Sequence, residues 1–137
     1  MAVPQKKPDT VGAAKILVVE DHEATREAVT LMLRTAFPGC QLLGADSAES
    51  ALPLFDAELP TLVVMDIALP GMNGFEATRL IRERHPECLV VIHSSSDMPI
   101  YREESAAVGA VAFVSKGRTS RDLIQIASRY LPQSAQG

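Results

Sequence analysis

"VVMDIALPGMNGFE", residues 63–76, decides how this chain is read. Three apolar residues lead into one carboxylate, Asp66, and then Pro70, Gly71, Asn73 and Gly74 break the chain. A short valine-rich run of this kind reads as a strand covered on both faces. An acid at its end then needs either a partner or a task.

Four further runs have the same character. "KILVVE" (15–20), "CQLLGA" (40–45), "CLVVIH" (88–93) and "AVAFVS" (110–115) join "TLVVMD" (61–66), each too short for a helix. Between them lie stripes at helical spacing: Ala24, Ala28, Val29, Met32, Ala36 and Phe37; Ala48, Ala51, Leu52 and Phe55; Ala77, Leu80 and Ile81; and Leu123, Ala127, Tyr130 and Leu131. A weaker stripe joins Tyr101, Glu104, Ala107 and Val108. In "DSAE", Asp46 and Glu49 suit a capping box for the second helix. Pro53 falls inside that helix and predicts a kink or an early end, since it removes a backbone donor.

Strand and helix thus alternate five times. Parallel strands need crossovers, and right-handed crossovers leave few windings. The expectation is an α/β, flavodoxin-like, five-stranded parallel sheet of order 2-1-3-4-5 with helices on both faces. Residues 1–14 read as a flexible arm, 15–131 as one domain, and 132–137 as a tail or the start of a linker. In that order the strands after Cys40 and Cys88 lie three positions apart, roughly 14 Å, which forbids a disulfide.

The composition narrows the function classes. The 137 residues are 47% hydrophobic and 22% charged, an ordinary globular balance. No apolar run approaches the length of a membrane span, and "MAVPQKKPDTVGAAK" is no secretory signal, so a cytoplasmic location is expected. A formal charge of −4 disfavours nucleic acid as a direct ligand, because such binding draws on lysine and arginine.

The polar residues fall at the strand ends. Glu20 and Asp21 close the first strand, Asp66 the third, Ser94 the fourth and Lys116 the fifth. A doubly wound sheet gathers all of these at one edge. Taken singly, Asp21 suits a helix cap, Asp66 a turn, Ser94 a loop and Lys116 an exposed surface. Together they demand more. Two like charges ~4 Å apart repel by about 4 kcal/mol at an effective dielectric of 20, and one lysine offsets only part of that. A divalent cation resolves the conflict, and oxygen-only donors suit Mg²⁺, with Mn²⁺ an acceptable substitute. Glu20 and Asp21 are then metal ligands, Lys116 and Ser94 grip phosphoryl oxygens, and Asp66 is the nucleophile toward phosphorus. His93, beside the site, reads as a satisfied strand-end histidine rather than a base.

At this point "VVEDHEATRE", "VVMDIALPGMNGFE", "VVIHSSS" and "FVSK" resemble the receiver domain of bacterial two-component response regulators. The intervals agree: 45 residues from Asp21 to Asp66, 28 on to Ser94 and 22 on to Lys116. The resemblance covers residues 15 to about 131. It implies that Asp66 is phosphorylated by a histidine kinase or phosphotransfer protein with Mg²⁺ bound, Asp66 itself and the backbone carbonyl of Ala68 adding to the metal ligands. It further implies that Ser94 and Phe113 are switch positions, read out by protein contacts at the face of the fourth helix, fifth strand and fifth helix. Partners would be a downstream protein or a second copy of the chain. Met98, Ile100 and Tyr101 are candidates for such a surface. "ASRYLPQSAQG" is weakly similar to the linker of regulators bearing a helix-turn-helix output domain.

Three departures stand out. Gly117 follows Lys116 where many members have a proline, so a looser loop is expected. Phe113 has no hydroxyl, so any switching works by packing. Ala68 and Ser96 hold positions that tune dephosphorylation, and Ala68 has no group to orient water, so self-hydrolysis should be slow. Among other functions, an aspartyl-phosphate hydrolase would want a second Asp at position 68, and a flavin domain would want a neutral phosphate loop instead of "EDHEATRE". Separate substrate turnover is not expected. The remaining alternative is a degenerate receiver that works as a phosphorylation-independent interaction module.

Overall fold

A computed structural model describes residues 14–132 and Ala135. The elements run β1 (Lys15–Val19), α1 (Glu23–Ala36), β2 (Gln41–Ala45), α2 (Ala48–Glu58), β3 (Leu62–Asp66), α3 (Gly74–Arg84), β4 (Leu89–Ser94), α4 (Pro99–Ala107), β5 (Ala112–Ser115) and α5 (Ile124–Tyr130). All ladders are parallel, in the order β2-β1-β3-β4-β5. This is the expected winding, with the reversal of direction between β1 and β3.

Alternation along each strand divides the core into two layers. Ile16, Val18, Leu62, Val64, Val91 and Val114 face α1 and α5, where Val29, Leu33, Phe37, Leu123 and Ala127 cover them. Leu17, Val19, Val63, Met65, Val90 and Ile92 face α2 and α3, meeting Ala48, Ala51, Phe55, Ala77 and Ile81. Each fully buried side chain of this size contributes about 1.5–3 kcal/mol before chain entropy is set against it. Two covered faces explain why the strands are nearly continuous apolar runs.

The helices depart from expectation in detail. Leu33 is buried in α1, whereas Ala24 and Ala28 are exposed on the rim of a groove of about 560 Å³ beside the segment after β5. The cap of α2 is Ser47, whose side chain accepts from Ser50 N–H, so the Asp46–Glu49 capping box does not form. Glu49 instead accepts from Met72 N–H at 2.9 Å and ties α2 to the loop after β3. Pro53 does not end α2, which continues to Glu58 and closes on Leu59 in the left-handed region, φ 49°. The weak stripe of α4 has a physical counterpart: Ser105 is its one buried residue, while Met98 and Ile100 stand exposed.

Two residues outside 15–131 also pack against the core. Ala14 and Ala135 are both buried in the α1/α5 layer, and Gln41 N–H bonds to the Ala14 carbonyl. The flexible arm expected over 1–14 otherwise lies outside the described residues, as do four residues of the expected tail. Cys40 and Cys88 are free thiols, as the strand order requires. Among the described residues, no helix is long and apolar enough to cross a membrane.

Candidate functional site

The register brings the strand ends together. Val19 pairs with Met65, Asp66 with His93, and Ser94 with Ser115, so Glu20, Asp66, Ser94 and Lys116 emerge along one edge. Glu20, Asp66 and Ser94 are all buried there, at 1%, 4% and 5% exposure. Charged carboxylates this deep require compensation.

Lys116 supplies part of it. Its ammonium donates to Glu20 Oε1 at 2.7 Å and to Asp66 Oδ2 at 3.3 Å. Burial pushes the Glu20 carboxyl up, but Lys116 and the His22 backbone N–H outweigh it and hold the group below its ordinary value. Asp66 goes the other way. Burial and then the Glu20 charge raise it, with Lys116 and the Ala68 N–H offsetting only in part. Burial disfavours the charged form of Lys116, yet the two carboxylates overcome this and raise its pKa. Two acids sharing one cation are thus driven apart in proton affinity.

Asp21 is the uncompensated member. Its Oδ1 is shut off from solvent and accepts no hydrogen bond from the described residues, the nearest imidazole nitrogen, His22 Nδ1, standing 3.7 Å away. A buried, orphaned carboxylate oxygen among other acids fits a bound cation. Glu20, Asp21 and His22 each offer a ligand atom within 4.8 Å of the others. Asp66, expected in the metal set, stands outside that trio, with Lys116 between it and Glu20. The Ala68 N–H donates to Asp66 Oδ1 at 3.3 Å, which keeps the Ala68 peptide close to the expected site.

The remaining expected residues are placed as follows. Ser94 Oγ accepts from Ser96 N–H at 3.1 Å, leaving its own proton to give. Phe113 is half-buried on β5 with the Arg102 guanidinium of α4 over its ring, 4.5 Å from the centroid. Its packing is therefore reinforced by a cation–π contact. Tyr101 stacks on Phe75 of α3 at 6.3 Å between centroids.

The turn after Asp66 is tightly built. Gly71 has φ +74°, a left-handed conformation that glycine adopts without steric cost. Gly74 is needed for a different reason: a Cβ there would overlap the Asp66 carbonyl and approach Ile67 Cα to 2.9 Å. Asn73 caps α3 by accepting from Glu76 N–H.

Several supporting residues had no signal in the sequence. Arg26 of α1 donates to the Glu20 carbonyl at 2.7 Å and pins the acidic loop, its side chain passing close to Gly44. Thr119 donates to the Lys116 carbonyl at 2.9 Å and lies 2.7 Å from His93 Nε2. These are side-chain contacts to loop backbone or between β4 and the irregular segment after β5, and no spacing rule announces them.

Comparison with known proteins adds to this geometry. The family model described as the response regulator receiver domain matches residues 16–128. The response regulator GacA of Pseudomonas syringae pv. syringae is 34% identical over 130 residues, covering 89% of this chain and 60% of the relative. The response regulator protein FleR of Pseudomonas aeruginosa is 36% identical over 120 residues, 86% of this chain and 24% of the relative. The chain therefore spans at most about three fifths of the length of these two relatives. A crystal structure of a LuxR-family two-component response regulator from Aurantimonas sp. superposes with a TM-score of 0.80 at 30% identity, over 86% of this chain and 84% of that one.

Proposed function

The chain belongs to the response regulator receiver domain family, and on that premise we propose that Asp66 accepts a phosphoryl group from a phosphohistidine. One observation carries the reading. Buried Asp66 and Glu20 share the Lys116 ammonium at the strand ends, while beside them Asp21 Oδ1 accepts no hydrogen bond from the described residues. A purely structural cluster would not leave that oxygen bare.

In the transfer, an Asp66 carboxylate oxygen forms the new bond to phosphorus. The P–N bond of the donor breaks, and its electron pair leaves on the imidazole nitrogen, which takes up a proton. Mg²⁺, held by Glu20, Asp21, Asp66 and the Ala68 carbonyl, would neutralise phosphoryl charge, and Mn²⁺ would serve in its place. Lys116 changes partners, giving its protons to a phosphoryl oxygen instead of Glu20. The Ser94 hydroxyl donates to another such oxygen. Little covalent machinery is needed, because positioning and charge stabilisation provide most of the rate in phosphoryl transfer.

Ser94 and Phe113 carry the change to the face of α4, β5 and α5, where Arg102 already rests on the Phe113 ring. The partners are a cytoplasmic histidine kinase or phosphotransfer protein, and a downstream protein or second copy at that face. The domain assists its own phosphorylation and dephosphorylation and turns over no separate substrate.

Intact-protein mass spectrometry after incubation with acetyl phosphate and Mg²⁺ tests this. The wild type gains one phosphoryl group and Asp66→Ala gains none. No gain by the wild type, with no Mg²⁺ binding, would leave the phosphorylation-independent module as the better reading.

A further inference from the structure

Lys116 needs an anchor, and its own neighbourhood offers little. Gly117 follows it, exposed and without a side chain, and the Ser115 hydroxyl that accepts from Gly117 N–H does so at a long 3.4 Å. Between β5 and α5 the backbone passes through a 3-10 turn, Lys116–Arg118, and then a π turn, Thr119–Leu123. The backbone hydrogen bonds of such turns have poorer geometry than those of an α-helix, so side-chain contacts matter more to holding them.

We infer that Thr119 and His93 are positioning residues for Lys116, fixing the backbone from which its ammonium reaches the phosphoacceptor. This rests on the functional reading above and adds to it two residues with no part in the expected site. The Thr119 hydroxyl has one proton, and it goes to the Lys116 carbonyl at 2.9 Å. The 2.7 Å contact between Thr119 Oγ1 and His93 Nε2 then has one consistent polarity: the imidazole N–H donates and the hydroxyl oxygen accepts. His93 is 3% exposed on β4, in register with Asp66 on one side and Val114 on the other. Its ring is thus fixed relative to the phosphoacceptor by the sheet itself. The chain of bonds runs from β4 through Thr119 to the Lys116 carbonyl, and the Lys116 side chain returns to Asp66.

Neutrality of the ring matters to this arrangement. A second cation beside Lys116 would be repelled, and burial together with the Lys116 charge lowers the His93 pKa to about 4. At neutral pH the imidazole therefore offers one N–H and no charge.

The test compares phosphorylation rates with acetyl phosphate while Mg²⁺ is varied. Thr119→Val lowers the rate about tenfold without raising half-saturating Mg²⁺, because Lys116 rather than the metal ligands is displaced. Thr119→Ser retains the wild-type rate. In a Lys116→Ala background, Thr119→Val causes no further loss. His93→Leu behaves like Thr119→Val, and His93→Gln, whose amide N–H can donate, restores the rate. In the metal-free protein, long-range ¹H–¹⁵N NMR reports His93 protonated at Nε2 and bare at Nδ1. A wild-type rate in Thr119→Val, an additive loss in the Lys116→Ala background, or an Nδ1–H tautomer would each overturn the inference. A wild-type chain that takes no phosphoryl group overturns the functional reading itself, and the role given to Lys116 with it.

Discussion

Buried His93 should make this domain acid-sensitive in a defined window. In the unfolded chain the imidazole titrates near its ordinary value of 6.5, whereas in the fold it holds a proton only below about 4. Between these values the unfolded state binds more protons, so stability falls as pH falls. Above 6.5 neither state is protonated and His93 contributes no pH dependence. Each unit below that costs about 1.4 kcal/mol, reaching about 3 kcal/mol near pH 4. The neighbours are charged as well. Lys116 reinforces the shift and Glu20 opposes it, while Asp66, raised in the fold, stabilises the native state on acidification. The assay therefore compares urea unfolding of wild type and His93→Gln in chelator-containing buffer at constant ionic strength, from pH 7.5 to 4.5. The wild type loses about 2 kcal/mol relative to the variant between pH 7 and pH 5, since the carboxylate contributions are common to both. Parallel stability curves would refute the reasoning and show that the ring accepts a proton in place.

Gly74→Ala should cost at least about 3 kcal/mol or prevent folding, because its Cβ meets the Asp66 backbone rather than a movable side chain; a chemical denaturation midpoint near wild type would contradict this. Replacing Lys116 by Met should tighten Mg²⁺ by about tenfold or more in calorimetric titration while slowing phosphorylation. Removing a cation ~5 Å from a divalent ion relieves about 2 kcal/mol of repulsion even at the dielectric of water; weaker Mg²⁺ binding would show that Lys116 organises the acids rather than competing for them. The phosphorylated protein should persist for minutes or longer, because the Ala68 side chain cannot orient a water; loss of the label within seconds would rule that out.

The strands were legible because burial on both faces writes them as apolar runs, and observed boundaries differ from expectation by at most two residues. Helix faces were less so. Ala24 and Ala28 fit the stripe of α1, but alanine is equally at home on a helix surface, and the burial centres on Val29, Leu33 and Phe37. The α2 cap was missed by one residue, since Asp46 and Ser47 are both good caps and only the backbone decides between them. Asp66, Glu20, Ser94 and Lys116 could be placed because strand ends are where a parallel sheet presents its ligands. Arg26, Glu49 and Thr119 could not, because each acts on the backbone of a loop, and the irregular course of those loops is not written in any spacing.

Under the proposed function Lys116 has two tasks that conflict, and the loop around it suits both. In the free protein it is the counter-ion of Glu20, its shorter contact, and of Asp66. Three carboxylates against one ammonium still leave negative charge unmatched, which is what the proposed divalent cation would answer. Once the cation is present the Glu20 contact is expendable, and the ammonium is free to turn to a phosphoryl oxygen. A side chain that must change partners needs freedom beyond Cβ and firmness at the backbone. The Thr119 hydroxyl provides the firmness at the Lys116 carbonyl, and a neutral His93 provides it for Thr119. Charge on that imidazole would add a cation to the site and oppose the metal. The burial that should make the domain acid-sensitive is therefore the same burial that would keep the acidic site available to the proposed divalent ion.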